Sequence, residues 1–547
     1  MEQGKNLART VWVNGRIRTM DDRVPLASCM AADASGRLLA VGRREEVEPF
    51  VGPGTRVVDL GGAAVVPGMI EGHAHLEGYG QTLRTLYIRD IPKEEILGKV
   101  RDAAAKAAPG SWIVGGMGWN NEVWDDPSYP TREELDAAAP DNPVMLPRMD
   151  GHLIWVNSRA FEICGITRDT PNPVGGEFMR TADGALQGCA GNAAAEIIKS
   201  HIPPTTREER IAELLAAQEK LLSYGVTSVT DMSTSLELID ALDELYRRGD
   251  YKLRFYGALR GFLDEDATEE QRAYFASCPK IGLFDDHFTI RCCKLLGDGS
   301  VGAQSAHLLE DFSDRPGCRG TGMYTDEEMA REVRCAAEQG MQVAIHSIGD
   351  ATIEQVLRVY AQVLGEVPCP DHRWRIEHFQ TVTSDTPQRA AALGVIPSMQ
   401  PMHAPNSAGM ALRRLGEKRV HGAYAAGLVL RSTGIVAFGS DCPVATPSPL
   451  SGMHAAITRT NDQLEPKGGF CPENAVTPLE ALHGYTDWGA YAMFAEDNRG
   501  SLAPGKWADF AVLDADPVEL GESRPDDLLK TRVLATVIAG ECVFGAL

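Results

Sequence analysis

The residues of this 547-residue chain with the most chemistry to offer are histidines near the ends of apolar runs. The stretch "VVPGMIEGHAH" (65–75) delivers His73 and His75 two positions apart. On a β-strand such a pair shares one side, and two imidazoles on one side suit a divalent metal. Four more runs carry comparable groups. "FTIRCCKL" (288–295) holds Lys294 in apolar company, and "MQVAIHS" (341–347) nears its end with His346. "RWRIEH" (373–378) closes on His378 and "GIVAFGSD" (434–441) on Asp441. His403 follows a further run, "GVIPSMQ" (394–400). Each residue alone has an ordinary explanation. A strand-end histidine can be a hydrogen-bonded core residue, a lysine in an apolar run can snorkel or pair, and an aspartate in "GSD" can be a turn. Together they make a metal site, provided one architecture brings those ends to one place.

That architecture is written in the alternation of elements. After residue 220, short β-branched or apolar runs alternate with amphipathic segments, the pattern of βα units and a parallel sheet. "GVTSVTD" (225–231) and "KLRFYGAL" (252–259) complete a set of eight strands with those above. Eight point to an α/β fold, a distorted (β/α)8 TIM barrel whose functional groups gather where the strands end. The connecting helices carry their own punctuation. "TREERIAELLAAQEKLLSYG" (206–225) and "TDEEMAREVRCAAEQG" (325–340) each begin Thr-x-x-Glu and close on glycine.

The two ends of the chain differ from the middle. Residues 1–64 and 497–547 are short β-like runs joined by glycine and aspartate turns, which implies one small β-sandwich domain built from both termini. The barrel then occupies 65–496. Within it, 77–220 is too long for one connector and reads as an insertion over the barrel mouth. Its "WVNS" segment would start a helix capped by Asn or Ser, and Trp119 and Trp124 would pack or form an apolar wall.

Composition narrows the class of partner. A formal charge of −23 disfavours nucleic acid and anionic membrane surfaces. No signal-peptide core or membrane-length run is present, so the expectation is a cytoplasmic enzyme of a small molecule. Twelve scattered cysteines without a CxxC pair read as reduced, buried hydrophobes.

The ordered motifs resemble the amidohydrolase superfamily. "VVPGMIEGHAH" is similar to its first-strand motif and "GSLAPGKWADFAVLD" to its C-terminal sandwich signature. "KLLGDGSVGAQSAHL", "AIHSIGDATI", "RIEHFQ", "PSMQPMH", "GSDCPV" and "DGHLIWVNSRA" resemble the YtcJ-like branch, which includes N-substituted formamide deformylases. Glu71 departs from the aspartate usual before the His-x-His. The resemblance implies a binuclear centre of divalent metals, zinc foremost. His73, His75 and Asp441 would hold one metal, His346 and His378 the other, with Lys294, carbamylated by CO2, between them. It implies attack of a metal-bridging hydroxide on an amide or N-substituted formamide, with Asp441 as general base and acid. His152, His403 and Asp298 would contact substrate, and a homo-oligomer, a dimer first, is implied. Two other readings stay open: a mononuclear deaminase, and a non-catalytic binding relative.

Overall fold

The computed structural model describes residues 7–547 except Asp90, Met117, Asp150 and Gly151, so the first two residues of "DGHLIWVNSRA" lie outside the described residues. The chain forms two compact units, one of residues 1–76 with 218–547 and one of residues 77–217.

In the first unit, eight strands form a nearly closed parallel barrel. In chain order they are β1 (Met69–Ala74), β2 (Val226–Thr234), β3 (Arg254–Arg260), β4 (Phe288–Leu296), β5 (Gln342–Ser347), β6 (Arg375–His378), β7 (Ile396–Met399) and β8 (Ala437–Phe438). Each lies beside the next, as the alternation implied. The barrel is filled rather than hollow. Ile70, Met232, Tyr256, Ala258, Cys292 and Ala344 make one apolar cluster with Ala490, Met493 and Ala495.

The helices that follow the strands start where the sequence punctuation places them. Thr325 and Glu328 form a reciprocal capping box at the start of Asp326–Glu338, and Gly340 turns out of that helix at φ +73°. Such a cap satisfies two otherwise orphaned amides.

Strand β8 is shorter than the run 434–441 suggested. Its ladder stops at Phe438 because the chain must pass close to β1: a Cβ on Gly439 would sit 2.5 Å from the His73 nitrogen. The seam is closed instead beyond the strand end. Asp441 N donates to His73 O (2.8 Å) and His75 N to Cys442 O (2.9 Å).

The run "AVVPGMIEGH" is not one strand. Ala64–Pro67 joins a six-stranded sheet with Arg16–Arg18, Leu26–Ala27, Phe510–Leu513, Val533–Ile538 and Glu541–Gly545, whereas Met69 begins the barrel. Both chain ends therefore build that sheet. A four-stranded sheet of Thr10–Val13, Cys29–Ala32, Leu38–Gly42 and Arg56–Asp59 supplies Trp12, Met30 and Val58 to a shared core with Phe510 and Val537.

A buried ion pair ties the terminal sheets to the barrel. Arg254 at the start of β3 meets Asp509 through Nε–Oδ2 (2.6 Å) and Nη2–Oδ1 (3.1 Å). Burial pushes the Asp509 carboxyl up, but the Arg254 charge and hydrogen bonds hold it below its ordinary value. A depressed folded-state pKa contributes stability that is present above the unfolded value of about 3.9 and lost as pH falls towards the folded one. Asp509→Asn is therefore expected to destabilise the protein by about 3–5 kcal/mol near neutral pH, because Arg254 is left buried without a counter-charge. The deficit should shrink in acid below about pH 4. Denaturant midpoints across pH check this, and a deficit that grows as pH falls would contradict it.

In the second unit, five strands order as Gly176–Arg180, Leu186–Asn192, Leu153–Val156, Val144–Pro147 and Ile113–Val114. Trp119 and Trp124 stack (centroids 5.5 Å apart) over Trp155 in its core, and each indole donates to a backbone carbonyl. They are packing residues. Asn157 caps the helix Ser158–Ile163 by accepting from Ala160 N. Among the described residues, no helix is long and apolar enough to cross a membrane.

Candidate metal centre

Five strand ends deliver their side chains to one place at the C-terminal mouth of the barrel. Register makes the neighbours explicit: Lys294 pairs with Ala344, Leu296 with His346, and Ser347 with His378. Across the seam, His73 Nε2 and His75 Nε2 lie 3.3 and 3.1 Å from the same oxygen, Asp441 Oδ1. The His73 ring centroid is 5.0 Å from that of His378, which is 4.5 Å from that of His346. One ligand atom each from His73, His378 and Asp441 fall within 4.8 Å of one another. His378 and Asp441 hold left-handed backbone conformations at φ +69° and +59°, a strain that non-glycine residues carry where surrounding structure imposes it.

Each imidazole is aimed by a partner on its other nitrogen, the arrangement that orients metal-binding histidines. His73 Nδ1 meets Glu377 Oε2 (2.6 Å), and Arg375 in turn grips Glu377 (2.6 Å) and donates to Gly72 O and Ser398 Oγ. His75 Nδ1 meets Ser233 Oγ (2.6 Å) and His378 Nδ1 meets Gln400 Oε1 (2.8 Å). His346 Nε2 lies 3.2 Å from Gly299 O, which turns Nδ1 the other way. Glu71 is fully buried and accepts from His73 N (3.0 Å) and Ser440 N (2.8 Å), tying both sides of the seam; burial pushes its carboxyl up to about 7.

These residues fit a divalent metal on their own chemistry. His73 Nε2 is buried and faces Asp441 Oδ1 at 3.3 Å. Burial holds His346 down to about 4 and His378 well below the usual imidazole range, so both present lone pairs. Burial opposes the charge on Asp441, but the imidazoles around it, His73 first, hold its carboxyl well below the usual range. Lys294 is 3% exposed and burial lowers its ammonium pKa. Beside it lies a cavity of about 390 Å3, lined by Arg260, Asp264, Lys294, Met323, Tyr324 and Glu332 among others.

The other residues singled out by sequence fall differently. His403 is half-buried with Nε2 4.0 Å from Asp441 Oδ2, at the edge of the cluster. Asp298 is buried and both oxygens are taken by backbone amides: Ile348 (3.0 Å), Gly349 (2.8 Å) and His307 (2.9 Å). It holds the turn after β5, and its Oδ1 also lies 3.6 Å from His346 Nε2. His152 is exposed and belongs to the second unit.

Glu377, Gln400, Ser233 and Glu71 were not singled out as supports. The Arg375-x-Glu377 alternation in an apolar strand is the same signal that marked Lys294, and it would have found that pair. Glu377→Gln is expected to weaken metal binding about 10–100-fold. Competition with a chelator reads this directly, and an unchanged affinity would remove Glu377 from the support of His73.

A family model described as the amidohydrolase family matches residues 56–544. Protein LONG AFTER FAR-RED 3 of Arabidopsis thaliana is 33% identical over 541 residues, covering 97% of this chain and 91% of the relative. The N-substituted formamide deformylase of Arthrobacter pascens is 29% identical over 541 residues, covering 95% of this chain and 96% of the relative. A solved structure, an uncharacterised metal-dependent hydrolase from Pyrococcus furiosus, superposes with a TM-score of 0.77 at 28% identity, covering 93% of this chain and 99% of that one.

Proposed function

The chain belongs to the amidohydrolase family, and from that premise we propose that it hydrolyses a carbon–nitrogen bond other than a peptide bond, in an amide or an N-substituted formamide. The observation that carries this is the buried trio of His73, His378 and Asp441, one ligand atom of each within 4.8 Å of the others. His73, His75 and Asp441 would hold one divalent metal, and His346 and His378 a second. Lys294 would serve both, as a CO2-derived carbamate, because an ammonium has no lone pair to give. Zinc suits this mixture of imidazole and oxygen ligands. When bound, such a pair polarises a carbonyl and lowers the pKa of water towards neutrality.

The protein's own groups divide the rest of the work. Asp441 would accept the proton of the attacking water and return it to the leaving nitrogen. Glu377, Ser233 and Gln400 keep the imidazoles pointed. The N-substituted formamide deformylase relative favours formamides as the first substrates to try. The test is metal analysis with a hydrolysis screen of formamides, N-acyl amines, cyclic imides and carbamates on metal-loaded protein. About two metals per chain with turnover supports the reading. A single metal with turnover would replace it by a mononuclear enzyme, and no metal with no turnover would overturn it.

A further inference from the structure

Four arginines among the described residues are buried to nine-tenths or more: Arg254, Arg375, Arg459 and Arg499. Three have a carboxylate in contact: Arg254 has Asp509 (2.6 Å), Arg375 has Glu377 (2.6 Å), and Arg499 has Asp286 (2.7 Å). Arg459, 1% exposed, has none. Its Nε donates to Phe470 O and its Nη2 to Tyr424 O, both at 2.9 Å, and its Nη1 is buried without a partner. Burial pulls Arg459 down to about 10, which leaves it charged at neutral pH. The acid that acts on it, Glu473, is engaged by His421 at 2.6 Å, and the neighbouring Cys471 thiol is pushed up by burial. A guanidinium in such a place without a counter-charge is costly.

A second unpartnered donor lies on the same small enclosed cavity. Gln400 and Arg459 both line it, with His378, Gln380, Tyr424 and Ala404 among others, and its volume is about 10 Å3, room for one water-sized guest. Gln400 Nε2 is buried without a partner. The orientation of that amide rests on the metal-ligand reading of His378: a ring that gives Nε2 to a metal carries its proton on Nδ1, so Gln400 must accept through Oε1 and present its NH2 to the cavity. Two residues with buried unpartnered donors, one of them a full positive charge, thus line one monatomic space together.

We propose that this cavity is a binding site for one monovalent halide ion, chloride in ordinary buffers, held between Arg459 Nη1 and Gln400 Nε2. The anion neutralises the unpaired guanidinium and steadies Gln400 against His378, so it supports the metal centre from behind without touching substrate.

Crystals of the metal-loaded protein grown in sodium bromide test this. The expected result is one bromine anomalous peak in contact with both Arg459 Nη1 and Gln400 Nε2. The second readout is the melting temperature in chloride against gluconate at equal ionic strength. The wild type should gain stability along a single-site saturation curve in chloride. Gln400→Glu, which places a carboxylate beside Arg459, should remove that gain. Density for water alone, with equal melting in the two salts, overturns the site. Data at the zinc edge from the same crystals report the metal centre separately. Metals present without bromide defeat the anion site alone, and bromide present without metals defeats the metal reading alone.

Discussion

Asp441→Asn is expected to keep most of its metal and to lose turnover by about 10²–10⁴-fold, the range over which a positioned acid–base group contributes. Asparagine preserves an oxygen that can still ligate, but it cannot take a proton from water and hand it on. Asp441 is also the group on which both halves of the first imidazole pair converge, at 3.3 and 3.1 Å. The decisive comparison is therefore metal content against kcat in one preparation. A variant with full activity would end the proton-transfer role. Loss of metal and activity together would reduce Asp441 to a ligand.

Lys294→Ala should have the other large effect. The side chain enters from the middle of the barrel wall, in register with Ala344 on β5 and Arg260 on β3. On the proposed reading it is the residue that would serve both metals. Metal content should fall from about two to one or fewer per chain, with kcat down about 10³-fold if several kcal/mol of charge stabilisation go with it. A short carboxylate such as acetate should restore part of both, because it can occupy the space and ligate as the carbamate would. Full metal occupancy and activity in the alanine variant would exclude the bridging role.

The parts of the molecule that repeat were readable in its sequence. The βα alternation placed the strand ends together because a parallel strand buried on both faces is a continuous apolar run, and a charge such as Lys294 stands out inside one. Capping boxes such as Thr325 with Glu328 act locally, so their spacing survives into the structure. Where non-local geometry decides, local pattern was silent. Nothing in "AVVPGMIEGH" says that the chain leaves one sheet at Pro67 and enters another at Met69. Nothing in "FGSD" says that β8 stops at Phe438 to let Gly439 pass the His73 backbone. Asp298 stood out as a substrate contact, and only the fold shows that amides of His307, Ile348 and Gly349 bond its oxygens. Gln400 and Ser233 are ordinary polar residues until the fold sets them behind His378 and His75.

The barrel seam carries one more consequence. Beyond Phe438 the first and last strands are joined by two backbone hydrogen bonds, at Asp441 and His75, with Glu71 bridging the same gap through side-chain contacts. Those are the segments that would hold the first metal, so the ion would act as a staple across the weakest closure of the wall. Metal release and wall opening then become one event, and each binding free energy adds directly to the cost of opening. Hydrogen exchange makes this visible. The amides of His75 and Asp441 should exchange more slowly as metal is titrated in, whereas those of β4 and β5, paired on both edges, should not respond; equal responses in both places would show the seam to be closed without the ion.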